Sequence, residues 1–327
     1  PTDYPLDQTL YTFPLDTFCK KNFLEPYNLK YLYKMQDVGS DMNYNLVPCT
    51  YDQSINLAVL CKYLWYDVYK NYVEDGEVFL KTYSPRIIHV IGSKDYNPTQ
   101  GTETLGVAEG GIKITLTNVT QLNESNIEMM NKYFFKTMHH EFSHILDQTK
   151  LRPSAFNIIS NTQYDAMGWA DTPDSVAFGK GFVSPYASSA VGEDWVENIA
   201  EYVTNDSVSW SLLLEASRYD WEMIDIEDAS AYMKLASGAD LDTVGYYHPS
   251  ESGDGNKIYR RVYERNAMGY IVPDAHGKPI PVNVDGYVGY DVIMQKIEFT
   301  RNYLKENFQI DLDALREGDI FVLTVLK

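Results

Sequence analysis

His140-Glu141-Phe142-Ser143-His144 is an H-E-x-x-H string. On an α-helix, residues four apart share one face, so the two imidazoles stand side by side and can grip one divalent cation. Glu141 lies beside them, placed to take a proton from a water activated at that ion. The implied chemistry is hydrolysis at zinc. A catalytic zinc takes three protein donors and keeps its fourth position open to water, so a third ligand must come from elsewhere in the chain.

The segment Glu193-Asp194-Trp195-Val196-Glu197-Asn198-Ile199-Ala200-Glu201 can supply it. Glu193, Glu197 and Glu201 are spaced by four and share one helical face. Trp195, Ile199 and Tyr202 form the opposite, apolar face. Alone, such glutamates read as a solvated acidic surface; the H-E-x-x-H string makes them ligand candidates. Two assignments are open. Either Glu193 binds the metal and Glu197 orients a histidine ring from behind, or Glu197 is the ligand. Tyr186, seven residues before Glu193, is a candidate to hydrogen-bond a developing oxyanion, although most of the 27 tyrosines must serve packing. The register is similar to that of glutamate-ligand zincins of the anthrax lethal factor type. There a Tyr precedes the ligand Glu by that distance and a second Glu follows four residues later, which favours Glu193.

These residues need scaffolding. The stripe Ile127, Met130, Phe134, Met138 and Ile145 predicts an amphipathic helix beneath the motif. Ser125 and Glu128 fit a capping box at its start, and Lys150 and Pro153 mark its end. Residues 192–205 form a second helix. Residues 86–92 and 110–117 read as strands; the second alternates apolar and polar, as an edge strand does, and an extended peptide could pair along residues 111–117. Residues 15–23 and 55–72 have helical spacing. Residues 151–191 read as loop. The remainder reads as helical at 210–219, 257–266 and 290–307, interrupted by Gly/Asp/Pro-rich insertions at 237–256 and 273–289. The expectation is an α+β, zincin-like metallopeptidase fold: a small mixed sheet with the H-E-x-x-H helix, plus a mainly helical C-terminal lobe. Residues 1–50 form an N-terminal extension packed on the catalytic domain. Residues 51–150 form the upper lobe, and residues 151–327 the lower lobe with the third ligand.

Composition narrows the partners. The chain carries 27 Lys and Arg against 46 Asp and Glu, a net charge of −19. That surface argues against nucleic acid and anionic membranes, and it opposes self-association, so a monomer is expected. Cys19, Cys49 and Cys61 form no disulfide framework: they are one bridge and a free thiol, or three small hydrophobes. His139 points about 100° away from the motif face and packs or hydrogen-bonds. His89 falls in a core strand, and His248 and His276 in polar, exposed loops. Asp37, Asp41, Asp240, Asp242 and Asp254 do not have the spacing of an EF-hand calcium loop. No apolar run reaches the ~18 residues of a spanning helix. The sequence starts at Pro1 rather than Met, as a processed chain does, and residues 1–10 read as a tether.

His139-His140-Glu141-Phe142-Ser143-His144-Ile145-Leu146-Asp147-Gln148 resembles the signature of a family of bacterial lipoproteins. They are described as substrate import-associated zinc metallohydrolases, relatives of zinc-binding metallopeptidases with a gluzincin-type site. Residues 45–48, 105–114, 181–187, 193–195 and 310–316 are similar to the same family. The resemblance implies Zn2+ as cofactor and a peptide or glycopeptide as substrate. It also implies an outer-membrane lipoprotein of a Gram-negative bacterium, on the periplasmic or cell-surface side. Its only membrane attachment would be a lipid anchor on a cysteine ahead of Pro1, beside a TonB-dependent importer and its surface binding lipoprotein. Asp147 departs from the pattern, standing where many relatives carry His. The competing reading is a weakly catalytic or non-catalytic zinc-containing lipoprotein that binds glycan or glycopeptide for uptake. Ligation does not need Glu141, so its presence favours catalysis.

Overall fold

Short β-branched and aromatic runs build a four-stranded sheet in the order β1-β2-β6-β5. Its members are β1 (Lys30–Leu32), β2 (Ile87–Val90), β5 (Gly106–Glu109) and β6 (Lys113–Leu116), while β3 (Asp95–Asn97) and β4 (Thr102–Thr104) form a separate hairpin. The computed structural model describes residues 13–34, 46–97, 102–104, 106–109, 112–123, 125–225, 247–249 and 257–325. Two compact units emerge: residues 1–152 with 303–327, and residues 153–302.

In the first unit, β1, β2 and β6 run parallel and β5 runs antiparallel to β6. The register sets Ile88 beside Ile114 and Val90 beside Leu116, all four fully buried. Residues 30–32 of the N-terminal stretch form a strand of this sheet. One expectation is corrected here: β6 is paired on both sides, so no peptide can add along residues 113–116; among the described residues β5 is the antiparallel strand at the rim. Alternation marks a half-buried strand, but it does not tell an edge from an interior position.

The H-E-x-x-H helix spans Lys136–Thr149. It continues a π-helical turn, Asn131–Phe135, whose extra residue shifts the buried face. That is why Phe134 and Phe135, adjacent in sequence, are both buried. The preceding helical turn, Ile127–Met130, is capped by Asn126, whose side-chain oxygen accepts from the Met129 N–H at 3.0 Å. Ser125 is not the cap; its own N–H binds Asn123. Around Phe142 the rings of Trp65, Tyr69 and Phe79 stand edge-on at centroid distances of 5.5, 5.0 and 5.9 Å. Asp147 accepts from the Arg152 N–H at 2.9 Å and pairs with its guanidinium. The departure from the family pattern thus serves to close the helix end. The C-terminal segment 303–327 also packs in this unit rather than with residues 153–302. Tyr303 Oη binds the Lys150 carbonyl, and Lys150 Nζ lies 4.8 Å from the Phe308 ring.

The second unit holds helices Val191–Thr204 and Ser207–Ala216, the start of the long helix Gly289–Phe308, and a three-stranded sheet. That sheet has the order β7 (Trp221–Asp225), β9 (Lys257–Arg261), β8 (Tyr247–Pro249), all antiparallel. Residues 257–266 are therefore a strand and an irregular stretch, not the helix expected. Ile258, Arg260 and Val262 alternate with Tyr259 and Arg261, a period of two. The 273–289 insertion is a series of tight turns. Gly277 and Gly286 have φ of +78° and +71°, and Asp274 accepts backbone N–H groups from His276 and Lys278 at 2.8 Å. His276 is exposed, as expected. Residues 1–10, Asp37, Asp41 and most of the 237–256 insertion lie outside the described residues.

Candidate metal centre

The motif helix carries His140 and His144 one turn apart, their rings perpendicular with centroids 4.9 Å apart. His140 and Glu141 are buried, at 7% and 5% exposure, and His144 is partly open. His139 is fully buried on another face: its Nδ1 is 3.1 Å from Tyr69 Oη and its Nε2 is 3.3 Å from Asp319 Oδ1. It packs and hydrogen-bonds, as its helical position requires. His89 in β2 is half-buried.

Glu193 lies in the first turn of Val191–Thr204, here termed the acidic helix, where a negative side chain suits the helix dipole. Among the described residues, His140, His144 and Glu193 form the group able to hold a metal, their ligand atoms all within 4.8 Å of one another. Tetrahedral zinc sits about 2.0–2.2 Å from N and O donors, so its ligands stand ~3.3–3.6 Å apart. Movements of side-chain scale bring donors within 4.8 Å of one another to that spacing, and two imidazoles with one carboxylate are a donor set of catalytic zinc. The residues fit the ion.

Glu197 is not in that group. It is buried, at 1% exposure, and accepts a hydrogen bond from Ser184 Oγ, which also accepts from the Ala187 N–H at 3.1 Å. Tyr186 opens the turn Tyr186–Ser189, is 37% exposed, and stands edge-on to Trp169 at 4.9 Å. The Asp165 N–H binds the Ser188 carbonyl at 2.8 Å and ties the Trp169 loop to that turn.

Sequence reasoning missed Asp194 and Lys296. Both are fully buried, with Lys296 Nζ 2.8 Å from Asp194 Oδ2. Burial pushes the Asp194 carboxyl up and the Lys296 amine down, and their mutual attraction opposes both shifts. A signal was present: Lys296 interrupts the apolar stripe Val292, Ile293 and Ile297 of its helix. The cysteines are all free. Burial pushes the Cys19 thiol up to about 12 and raises Cys61 too, which disfavours the thiolate a nucleophile needs.

An H-E-x-x-H helix in a unit with a small mixed sheet, with a carboxylate beside the two imidazoles, is the arrangement of a zinc metallohydrolase. The chain matches, over residues 8–313, a family profile described as putative zinc-binding metallo-peptidase, and it belongs to that family. It is similar in structure to a putative zinc-binding metallo-peptidase from Bacteroides caccae, with 28% identity and a TM-score of 0.63. That match covers 95% of this chain and 92% of the other. No curated protein matches the chain.

Proposed function

We propose that this chain is a zinc-dependent peptidase cleaving peptides or glycopeptides, with His140, His144 and Glu193 as the metal ligands. The observation that carries this is the convergence of those three donors, with Glu141 adjacent on the motif helix. Zinc held there supplies Lewis acidity, which acidifies water and polarises a scissile carbonyl. The Glu141 carboxylate takes the proton of the attacking water and passes it to the leaving amine as the C–N bond breaks. Its burial keeps competing water away and strengthens its interaction with charge. Glu197 holds Ser184 and so fixes the approach to Tyr186. The Tyr186 phenol donates to the developing oxyanion. Among the described residues, β5 is the rim strand along which an extended peptide would pair.

The test is hydrolysis of a mixed peptide and glycopeptide library by zinc-loaded protein. Glu141→Gln should keep its zinc and lose about 10²–10⁴ in kcat. Tyr186→Phe should lower kcat with little change in KM. Full activity in Glu141→Gln would remove the general-base role, and no hydrolysis by zinc-loaded wild type would turn the reading to a glycan- or glycopeptide-binding role.

We further propose that the protein works as a lipid-anchored outer-membrane protein beside a TonB-dependent importer and its binding lipoprotein. The sequence resemblance supports this. Among the described residues no helix is long and apolar enough to cross a membrane. Metabolic labelling of the native gene product with a lipid precursor tests it; unlabelled protein outside the membrane fraction would overturn it.

A further inference from the structure

Lys296 is an expensive residue to bury. An ammonium removed from water carries a desolvation penalty even after relaxation, and a well-packed apolar pair in its place is often no less stable. Its surroundings show what geometry the charge secures. Lys296 Nζ is 2.8 Å from Asp194 Oδ2 and donates to the Gly181 carbonyl at 2.8 Å, with the Phe182 ring centroid 4.2 Å away. Asp194 accepts further from Tyr164 Oη at 2.7 Å and from Asn198 Nδ2 at 2.9 Å. One ammonium therefore joins two segments: the first turn of the acidic helix and the stretch leading to Tyr186.

Local features at the two ends of this tie leave room for it to set direction. The acidic helix begins at Ala190 with no side-chain cap, and a Cβ added at Gly192 would meet nothing within 4 Å. Packing at that position does not set the direction of the first turn. Gly181 has a φ of +81°, and a Cβ there would come within 2.6 Å of Val292 Cγ1, so its carbonyl can be presented to Lys296 only from a glycine backbone. Three residues on, Ser184 binds Glu197. The same two segments are thus joined twice, at 181/194 through Lys296 and at 184/197 directly. Glu193 follows from the first tie, because a residue 100° around a helix turns with its neighbour.

We propose that Lys296 is a positioning residue, which through Asp194 and Gly181 sets the direction of Glu193 and the placement of the Tyr186 turn. The proposal rests on Glu193 as a zinc ligand. A donor must be held to within ~0.5 Å of its productive place, and a charge-assisted, fully enclosed hydrogen-bond network does this better than apolar contact.

The experiment measures zinc affinity by chelator competition, together with kcat, KM and apoprotein thermal unfolding. It compares wild type, the charge-neutral pair Lys296→Met with Asp194→Asn, and Tyr164→Phe. We expect the double variant to remain folded and to bind zinc about 10–100-fold more weakly, the range seen when residues supporting metal ligands are lost. Its kcat should fall and its KM should hold. Tyr164→Phe, which removes one hydroxyl, should weaken zinc about threefold, a fraction of that range. Wild-type zinc affinity and kcat in a folded double variant would overturn the proposal while leaving the zinc site standing. If the double variant does not fold, unchanged zinc affinity in Tyr164→Phe overturns it equally, and weakened affinity supports it. Failure of wild type to bind zinc would overturn the site and this proposal together.

Discussion

Phe142 of the motif helix is ringed by Trp65, Tyr69 and Phe79, whereas the first turn of the acidic helix is fixed by an ion pair between Asp194 and Lys296. Each helix nevertheless follows the same local rule. The ligand candidate has a buried polar neighbour in sequence, His139 beside His140 and Asp194 beside Glu193, and that neighbour binds groups within its own unit. The difference is in what else holds the helix. Aromatic packing is strong but non-directional. It keeps the motif helix in place, while the repeat of four residues sets the two imidazoles relative to each other. The acidic helix carries one proposed ligand, Glu193, so on that proposal its direction has to come from a group that is itself directional.

The largest effect should come from the ligands. His144→Ala and Glu193→Ala are each expected to bring zinc content from about one per chain to near zero after dialysis. Glu197→Gln should retain the metal and lose affinity about 10–100-fold at most. Zinc retained in Glu193→Ala and absent in Glu197→Gln would exchange their roles and break the comparison at its base. A smaller effect is expected at the polar tie of the motif helix. Asp319→Ala leaves His139 without one of its partners and should cost ~1–3 kcal/mol in chemical unfolding. Zinc affinity should change less than in the Lys296 variants, because the aromatic packing remains. Loss of zinc as complete as in His144→Ala would show that the motif helix also depends on its polar tie for direction.

The motif helix and the acidic helix were legible because each has a period that its burial imposes, and the strand at residues 87–90 because it is a short β-branched run. Residues 257–261 were not: Lys257, Tyr259, Arg260 and Arg261 all carry apolar length beneath a polar tip, so the segment has no sharp contrast between polar and apolar positions. Strand β1 was missed because three residues, Lys30–Leu32, are too few to show a period. The cap fell on Asn126 rather than Ser125, one residue away, since Asn and Ser serve equally well there.

By itself the sequence determined the chemistry on offer: two imidazoles one turn apart, a carboxylate between them, and glutamates at a spacing of four. Helical geometry alone dictates those relations, so they needed no tertiary information. What only the tertiary structure decided is which glutamate stands with the histidines, that β5 rather than β6 lies at the rim, and that Lys296 meets Asp194 and Gly181. Lys296 is separated from Asp194 by about a hundred residues and from Gly181 by 115. Contacts at such separation follow from how whole elements pack, and no local period records them.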